Sequence, residues 1–200
     1  MKSFLGSPRN ALGAGLGITG ILLLVWIAST SIDGIGLVSM LLRVVHIVAA
    51  MIWVGMIWFV NFIQLAAIRQ ADETVRGPLM RLIVPHVTTT FLHASTLTVL
   101  SGALLLVSTG YVLDRWVFLS VVYVSTPKAL MLWGAVLAGV VMLGIAHGVL
   151  RPALRVVLGE VPADIEAVAA ARERAAKFAR INLILAIPVT FVMVAASHSG

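Results

Sequence analysis

The sequence predicts an all-α integral membrane bundle with five transmembrane helices, and three observations lead to that fold class. Of its 200 residues, 60% are hydrophobic and 11% are charged, and the mean hydropathy is +1.08. A soluble domain carries about 25% charged residues, and about 20 apolar residues suffice to cross a bilayer. Apolar runs of that length recur along the chain between short polar segments. We therefore expect a single membrane domain over residues 1–200.

The first two spans follow the amino terminus. Residues 11–32, "ALGAGLGITGILLLVWIASTSI", form an additional N-terminal span that follows Lys2 and Arg9. No small-residue cleavage motif follows at the usual distance, so we expect a retained helix and not a signal peptide. The second span, 37–69, begins a four-helix core at about 37–197. It is longer than a bilayer requires, which predicts tilt or projection into water.

Proline and polar residues delimit the third and fourth spans. Pro85 favours a helix start because proline fits the first helical turn, and this span is expected to end near Thr109. The preceding "QADETVRGP" is predicted to be a polar loop. "GYVLDRWVFLSVVYVSTP" has interfacial aromatic residues and a charged pair, which predict a loop with a short surface helix. The fourth span covers residues 128–150.

An alanine-rich segment with mixed charges leads into the fifth span. Residues 162–180, "PADIEAVAAARERAAKFAR", are predicted to form a surface helix in contact with water or the membrane interface. That helix is expected to run into a span at 181–197. Pro188 is expected to kink this last span, because proline removes one backbone hydrogen bond of the helix.

The cations gather on one side of the predicted topology. With the amino terminus inside, three cations lie outside, namely Arg43, Arg115 and Lys128, and the other eleven lie inside. This bias follows the positive-inside rule, so the net charge of +6 needs no nucleic-acid partner. We expect a multi-pass protein of a bacterial cytoplasmic membrane, in contact with lipid.

Residue types that are missing from the spans exclude several functions. The chain has no cysteine, which excludes disulfides, thiolate metal sites, iron–sulfur clusters and covalent c-type haem. The eight acidic residues lie outside the predicted spans. Because ion pumps and proton-driven carriers use buried carboxylates, this pattern disfavours those classes.

Four histidines lie at membrane depth, and a fifth, His198, ends the last span and is interpreted as inert. The four are His46, His86, His93 and His147. Ionisable residues at that depth suggest a functional site, and neutral imidazole is a ligand for haem iron, zinc and copper. For each histidine taken alone, a hydrogen-bonded packing role is about as frequent as a functional role, so both interpretations stay open.

Helical spacing groups these imidazoles. His46 shares a stripe with Trp53 and Gln64, and two alanines one turn beyond it leave room for a flat macrocycle. His86 and His93 share a face about 10 Å apart along the axis. Estimated depths allow an inner pair of His86 and His147, and the estimated depths of His46 and His93 differ by about 6 Å. The sequence therefore permits one or two haem b groups.

Three further residues have both a structural and a functional interpretation. Trp53 packs in the core or against a cofactor, and core packing is the more frequent role. Lys128 is expected to extend its side chain to the outer interface. Arg43 is expected either to extend its side chain to the outer interface or to bind a haem propionate.

The run "LLRVVHIVAAMIWVGMIWFVNFIQ" resembles the first conserved helix in the membrane domain of bacterial urate hydroxylases. The matching residues are His46, Trp53 and Gly55, and "PHVTTTFLHASTLTVLSGALLL" is similar to the next helix, with its Leu-Ser-Gly signature at Gly102. "TPKALMLWGAVLAGVVMLGIAHGVL" resembles the lysine-led helix of copper-resistance D-type proteins and haem-linked protoporphyrinogen oxidases. The likeness covers about residues 37–150.

This resemblance implies a haem b-binding bundle in which His46 is a ligand and Lys128 matches the family lysine. The urate hydroxylases carry more spans and a cytochrome c domain, which this chain lacks, so urate chemistry is not expected. We predict an electron-transfer protein or oxidoreductase subunit. Its partners would be a c-type cytochrome or a larger respiratory complex, and quinone.

Two alternatives stay open: a haem-dependent oxidase of a small or tetrapyrrole substrate, and a cofactor-free accessory or copper-handling membrane protein. The sequence does not decide whether the protein is an enzyme. The expected haem-iron ligands are His46, His86, His93 and His147, and the expected neighbours of the cofactor are Arg43, Trp53 and Lys128.

Overall fold

The chain folds into helices joined by short turns. In this computed structural model the described residues are 6–109 and 127–198, and they contain no strand. Five of their helices are long and apolar enough to cross a membrane. In chain order they are α1 (Pro8–Ser29), α2 (Gly34–Gln70), α3 (Glu73–Ser108), α4 (residues 127–157) and α5 (Ile165–His198). The predicted all-α multi-pass fold is confirmed.

Close contacts divide the chain into two compact units, Met1–Val38 and Ser39–Gly200. In the first unit, α1 buries none of its residues. The second unit holds the hydrophobic core and every candidate site residue named above. The short surface helix predicted between the third and fourth spans lies outside the described residues.

Aspartate side chains begin three of the helices. In each case a carboxylate oxygen accepts a hydrogen bond from the backbone N–H three residues later, which satisfies one of the free donors of a helix start. The pairs are Asp33 with Gly36 at 2.7 Å, Asp72 with Val75 at 3.0 Å and Asp164 with Ala167 at 2.7 Å. Three of the eight acidic residues that lie outside the predicted spans therefore cap the starts of helices.

Helix α3 begins twelve residues before the predicted start at Pro85. Its first residue is Glu73, and Pro78 and Pro85 both lie inside it. The prediction of a helix start at Pro85 is wrong, and of the loop predicted over residues 70–78 only residues 71 and 72 lie outside a helix. The Asp72 cap starts the helix, and proline is tolerated within membrane helices because neighbouring groups satisfy the freed carbonyls.

Two of the helices contain a π-helical turn. In α2 it covers Phe59–Gln64, and in α4 it covers Ala146–Leu150. The α4 helix continues through Arg151–Val157, beyond the predicted end at residue 150. Such turns insert extra backbone into a helix and occur frequently at functional sites.

Helix α5 is a single uninterrupted element. It joins the predicted surface segment to the fifth span without a break, and Pro188 lies inside it. Within the second unit, α5 packs mainly on α4 and also meets the π turn of α2. Helix α3 also contacts α2 and α4, so the four helices of this unit pack together.

The core of the second unit is small and lies where these helices meet. Trp53 is 3% exposed, and its ring meets Phe91 edge-on with centroids 6.4 Å apart. Met142, Ala146 and Ala186 complete the centre of the cluster. Trp53 thus packs in the core, the more frequent of its two expected roles.

Most apolar side chains face outward. Ile52, Leu97 and Leu137 are among the many large aliphatic residues that are 43–66% exposed. A soluble monomer does not expose apolar surface on this scale, because contiguous patches above a few hundred Å² are rare. The exposed surface suits lipid, as expected of a multi-pass membrane protein.

Candidate functional site

His46 is held against α3 through its ring nitrogen Nδ1. This atom lies 2.8 Å from the backbone carbonyl oxygen of Thr98. A carbonyl only accepts, so Nδ1 carries the proton and donates it. The other ring nitrogen, Nε2, keeps its lone pair and has no hydrogen-bond partner among the described residues. The contact therefore fixes both the tautomer and the orientation of the imidazole.

Gly102 makes room for this ring. A Cβ atom at residue 102 would lie 2.9 Å from Cε1 and 3.1 Å from Nδ1 of His46. Real Cβ atoms do not approach other atoms so closely, so the imidazole packs directly on the glycine backbone. Ser101 lies beside it, with its hydroxyl 3.4 Å from Nδ1.

His147 joins α4 to a different part of α3. Its Nε2 lies 3.0 Å from the hydroxyl oxygen of Thr96. That hydroxyl already donates to the carbonyl of Leu92 at 2.9 Å, so it accepts the Nε2 proton. Its neighbours Gly144 and Gly148 have room for a side chain, because a Cβ at either would meet no atom within 4 Å outside its own chain neighbours.

His86 and His93 lie on the exposed face of α3. Nδ1 of His86 donates to the carbonyl of Leu82, one turn earlier in the same helix, at 2.8 Å. This bond also leaves Nε2 of His86 with its lone pair. The two rings share a face, as their spacing predicts.

The four imidazoles do not converge. His147 lies level with Thr96, ten residues and about 15 Å along α3 from His86, so the expected inner pair is not at equal height. His46 lies level with Thr98, about 7.5 Å along the axis from His93, close to the expected offset. Thr96 and Thr98 point to opposite sides of α3, which separates His46 from His147.

The other expected site residues are spread over the molecule. Arg43 is exposed, Trp53 is in the core, and the side chain of Lys128 lies outside those described. Within the part of the chain that the structure describes, no group of three His, Asp or Glu side chains is placed to hold a metal ion. In that part of the chain, at most two such side chains can therefore meet at one point.

A cavity of about 590 Å³ lies between α2, α3, α4 and α5. None of the four histidines lines it. Its wall includes both π-helical turns, through Asn61 and Gln64 of α2 and Ala146 and Leu150 of α4. We call it the arginine cavity, because four of its lining residues are Arg69, Arg76, Arg151 and Arg172.

Three amide side chains line the arginine cavity. Asn61 is satisfied, because its Nδ2 donates to the carbonyls of Ile57 at 2.8 Å and Ala179 at 3.2 Å. Gln64 is 9% exposed and Asn182 is 1% exposed, and the side-chain oxygen of each is buried with no hydrogen-bond partner among the described residues. A buried unpaired oxygen costs about 1–3 kcal/mol, so these two atoms mark a place for donors.

Sequence reasoning missed most of this cavity. Helical spacing places Gln64 on the His46 stripe, whereas Asn182 carries no signal in the sequence beyond being an amide within a span. The arginines were assigned to the positive-inside bias. A polar residue at membrane depth on each of two helices is the one signal that pointed to this region.

Comparison with known proteins identifies no family. No protein-family model matches the chain, no curated protein matches it, and no solved structure matches it. The fold and site therefore define it only as a multi-pass helical membrane protein. The resemblance to haem b membrane proteins stays a prediction.

Proposed function

We propose that this protein binds haem b and transfers electrons within a membrane, alone or as an oxidoreductase subunit, with His46 as the axial ligand. The carrying observation is the hydrogen bond from Nδ1 of His46 to the Thr98 carbonyl. Histidines that bind metals usually donate their second ring N–H to such a carbonyl, which orients the ligating nitrogen. The likeness of residues 37–150, which hold three of the spans, to haem b membrane proteins supports the same assignment.

The residues around His46 fit one axial ligand. Thr98 fixes the ring through its backbone, Gly102 admits the ring edge, and Nε2 retains the lone pair that iron would take. His86 has the same donor pattern on its own helix but is exposed, so it is the second candidate. Bound haem would supply a one-electron redox centre, whose potential depends on ligation and burial.

The test is a visible spectrum of the full chain purified from membranes supplied with haem. We expect a Soret band and a reduced alpha band that are lost or shifted in His46→Ala. Gly102→Ala is expected to shift the same bands, because its Cβ would displace the ring. Gly134→Ala is the matched control, since a Cβ there meets no atom within 4 Å.

A colourless protein, or identical bands in His46→Ala and wild type, would contradict the proposal. A colourless protein with stoichiometric copper would favour the copper-handling alternative. Oxidation of urate or protoporphyrinogen with an added acceptor would favour the oxidase alternative. A location in a bacterial cytoplasmic membrane, with a c-type cytochrome or quinone as partner, belongs to the same proposal.

A further inference from the structure

The arginine cavity holds features that the haem proposal does not use. We propose that it binds an anionic amphiphile, a molecule with a carboxylate or phosphate at one end and an apolar body that carries a hydrogen-bond donor. This second site is independent of the histidines. Three features of the cavity specify the parts of such a molecule. The positive charge at one end favours the anionic group, the unpaired oxygens in the interior favour the hydrogen-bond donor, and the apolar walls between them favour the apolar body.

The charged end favours an anion. Four arginines line the cavity against one acid, Glu173. Arg76 is partly engaged, because its Nε and Nη2 donate to the carbonyls of Ile68 and Ala71. Arg69, Arg151 and Arg172 are exposed, with no ion pair among the described residues. Guanidinium groups bind carboxylate and phosphate through paired hydrogen bonds.

The interior of the cavity requires a donor. The unpaired atoms of Gln64 and Asn182 are both amide oxygens, which accept hydrogen bonds and cannot donate them. Within residues 6–109 and 127–198, the side chain of Asn182 makes one long contact, from Nδ2 to the Met142 carbonyl at 3.5 Å. A hydroxyl or N–H group on the ligand would satisfy either oxygen, so a plain hydrocarbon chain fits this region less well.

The walls between the two ends are apolar. Val84, Phe91, Leu92 and Leu150 line the cavity, and its volume of about 590 Å³ is in the range of small-molecule sites. Arg172 and Asn182 lie ten residues apart on α5, which separates their backbones by about 15 Å along the axis. The ligand therefore needs a long apolar body between its charge and its donor.

The two π-helical turns support a binding role for this region. They occur on different helices, α2 and α4, and both contribute residues to the same cavity. π turns are rare and concentrate at functional sites. Their coincidence here is an observation separate from the charges and the unpaired oxygens.

Three chemically matched probes test the three requirements. They are 12-hydroxystearate, stearate without the hydroxyl, and 1,12-octadecanediol without the charge. Native mass spectrometry of the full chain, titrated with each probe, gives apparent dissociation constants. We expect 12-hydroxystearate to bind tightest, stearate about fivefold more weakly, and the diol at least about tenfold more weakly.

Arginine variants locate the site. Arg172→Gln is expected to weaken binding of 12-hydroxystearate about tenfold, because one charge-assisted hydrogen bond is lost. Arg174→Gln is the matched control, since Arg174 lies two residues away, is exposed and does not line the cavity. It is expected to change binding less than twofold. Both side chains are exposed, so folding should be kept.

Three outcomes would overturn the proposal. Equal loss in the Arg172 and Arg174 variants would mean binding to the basic surface in general. Equal binding of 12-hydroxystearate and the diol would show that the site does not require an anionic group on the ligand. Competition by inorganic phosphate alone would show a site for free anions and not for an amphiphile. Retained binding in His46→Ala is expected, and it separates this result from failure of the haem proposal.

Discussion

The hydrogen bond between Thr96 and His147 links a side chain of α3 directly to a side chain of α4. The Thr96 hydroxyl donates to the Leu92 carbonyl and accepts from Nε2 of His147 at 3.0 Å, so both of its roles are filled. Interhelical hydrogen bonds in membranes contribute about 0.6 kcal/mol on average. The bond therefore orients the imidazole more than it stabilises the bundle.

A double-mutant cycle measures this link. Thr96→Val combined with His147→Phe should give a coupling energy of about 0.6 kcal/mol and no more than about 1.7 kcal/mol, the average and the largest value found for such bonds in membranes. Reversible unfolding in bicelles provides the measurement. The control cycle replaces Thr89, an exposed residue of α3, with Val. Coupling near zero for Thr96, or equal coupling for Thr89, would contradict the assignment of this bond.

Individual contacts of the histidines were only partly predictable. The sequence places His46 within a span, but its partner is the backbone carbonyl of Thr98, and a carbonyl carries no mark in the sequence. The height of His147 was misjudged because α4 extends to Val157, seven residues past the predicted end. Because the depth of a histidine is estimated from the predicted end of its span, an error in that end changes which histidines are expected to pair.

At the scale of the helix, the start of α3 depends on the Asp72 carboxylate. Its oxygen Oδ1 accepts from the Thr74 hydroxyl at 2.7 Å and from the Val75 N–H at 3.0 Å. These two hydrogen bonds lower the pKa of Asp72 below its ordinary value of 3.8, against a small opposing effect of burial. The charged form is therefore the one that caps the helix.

The first turns of α3 should lose protection in acid. A carboxyl whose folded pKa lies below its unfolded pKa stabilises the fold above the unfolded value, and this contribution disappears as pH falls through the folded value. Hydrogen exchange of residues 73–78 should therefore accelerate as pH falls below about 4. Rates are compared after correction for intrinsic exchange.

Substitutions at residue 72 separate charge from capping. Asp72→Asn keeps an accepting oxygen, so it should retain most protection and lose the extra acid sensitivity. Asp72→Ala should raise exchange of residues 73–78 at every pH, because the cap is gone. An unchanged pH profile in Asp72→Asn would contradict the electrostatic part of this account.

Helix number and location were predictable, whereas two internal features were not. Hydropathy alone located all five spans, because lipid requires long apolar runs. The continuation of α3 through Pro78 and Pro85 was missed because the local rule for proline ignores tertiary partners. The π turns were missed because no composition distinguishes "FVNFIQ" or "AHGVL" from an ordinary helical turn.

At the scale of the whole molecule, orientation in the membrane remains a prediction from charge. The absence of cysteine makes it directly testable, because each introduced thiol is unique. Ser31→Cys and Ala163→Cys place thiols in exposed connections that precede α2 and α5. With the amino terminus inside, residue 31 faces outward and residue 163 faces inward.

In intact cells, a membrane-impermeant maleimide should label Ser31→Cys. It should label Ala163→Cys only after the membrane is opened. Unsubstituted protein, which has no thiol, is the background control. The reverse pattern would invert the topology and would place the arginine cavity near the outer surface.

The π turn at Phe59–Gln64 has a geometric consequence for everything that follows it in α2. An α-helix advances 3.6 residues per turn, so one additional residue rotates the later side chains by about 100° around the axis. Gln64 ends this turn and Arg69 follows it, and both line the arginine cavity. Deleting one residue from this stretch would restore regular winding and swing the guanidinium toward lipid, although every side chain of the cavity would still be present in the sequence.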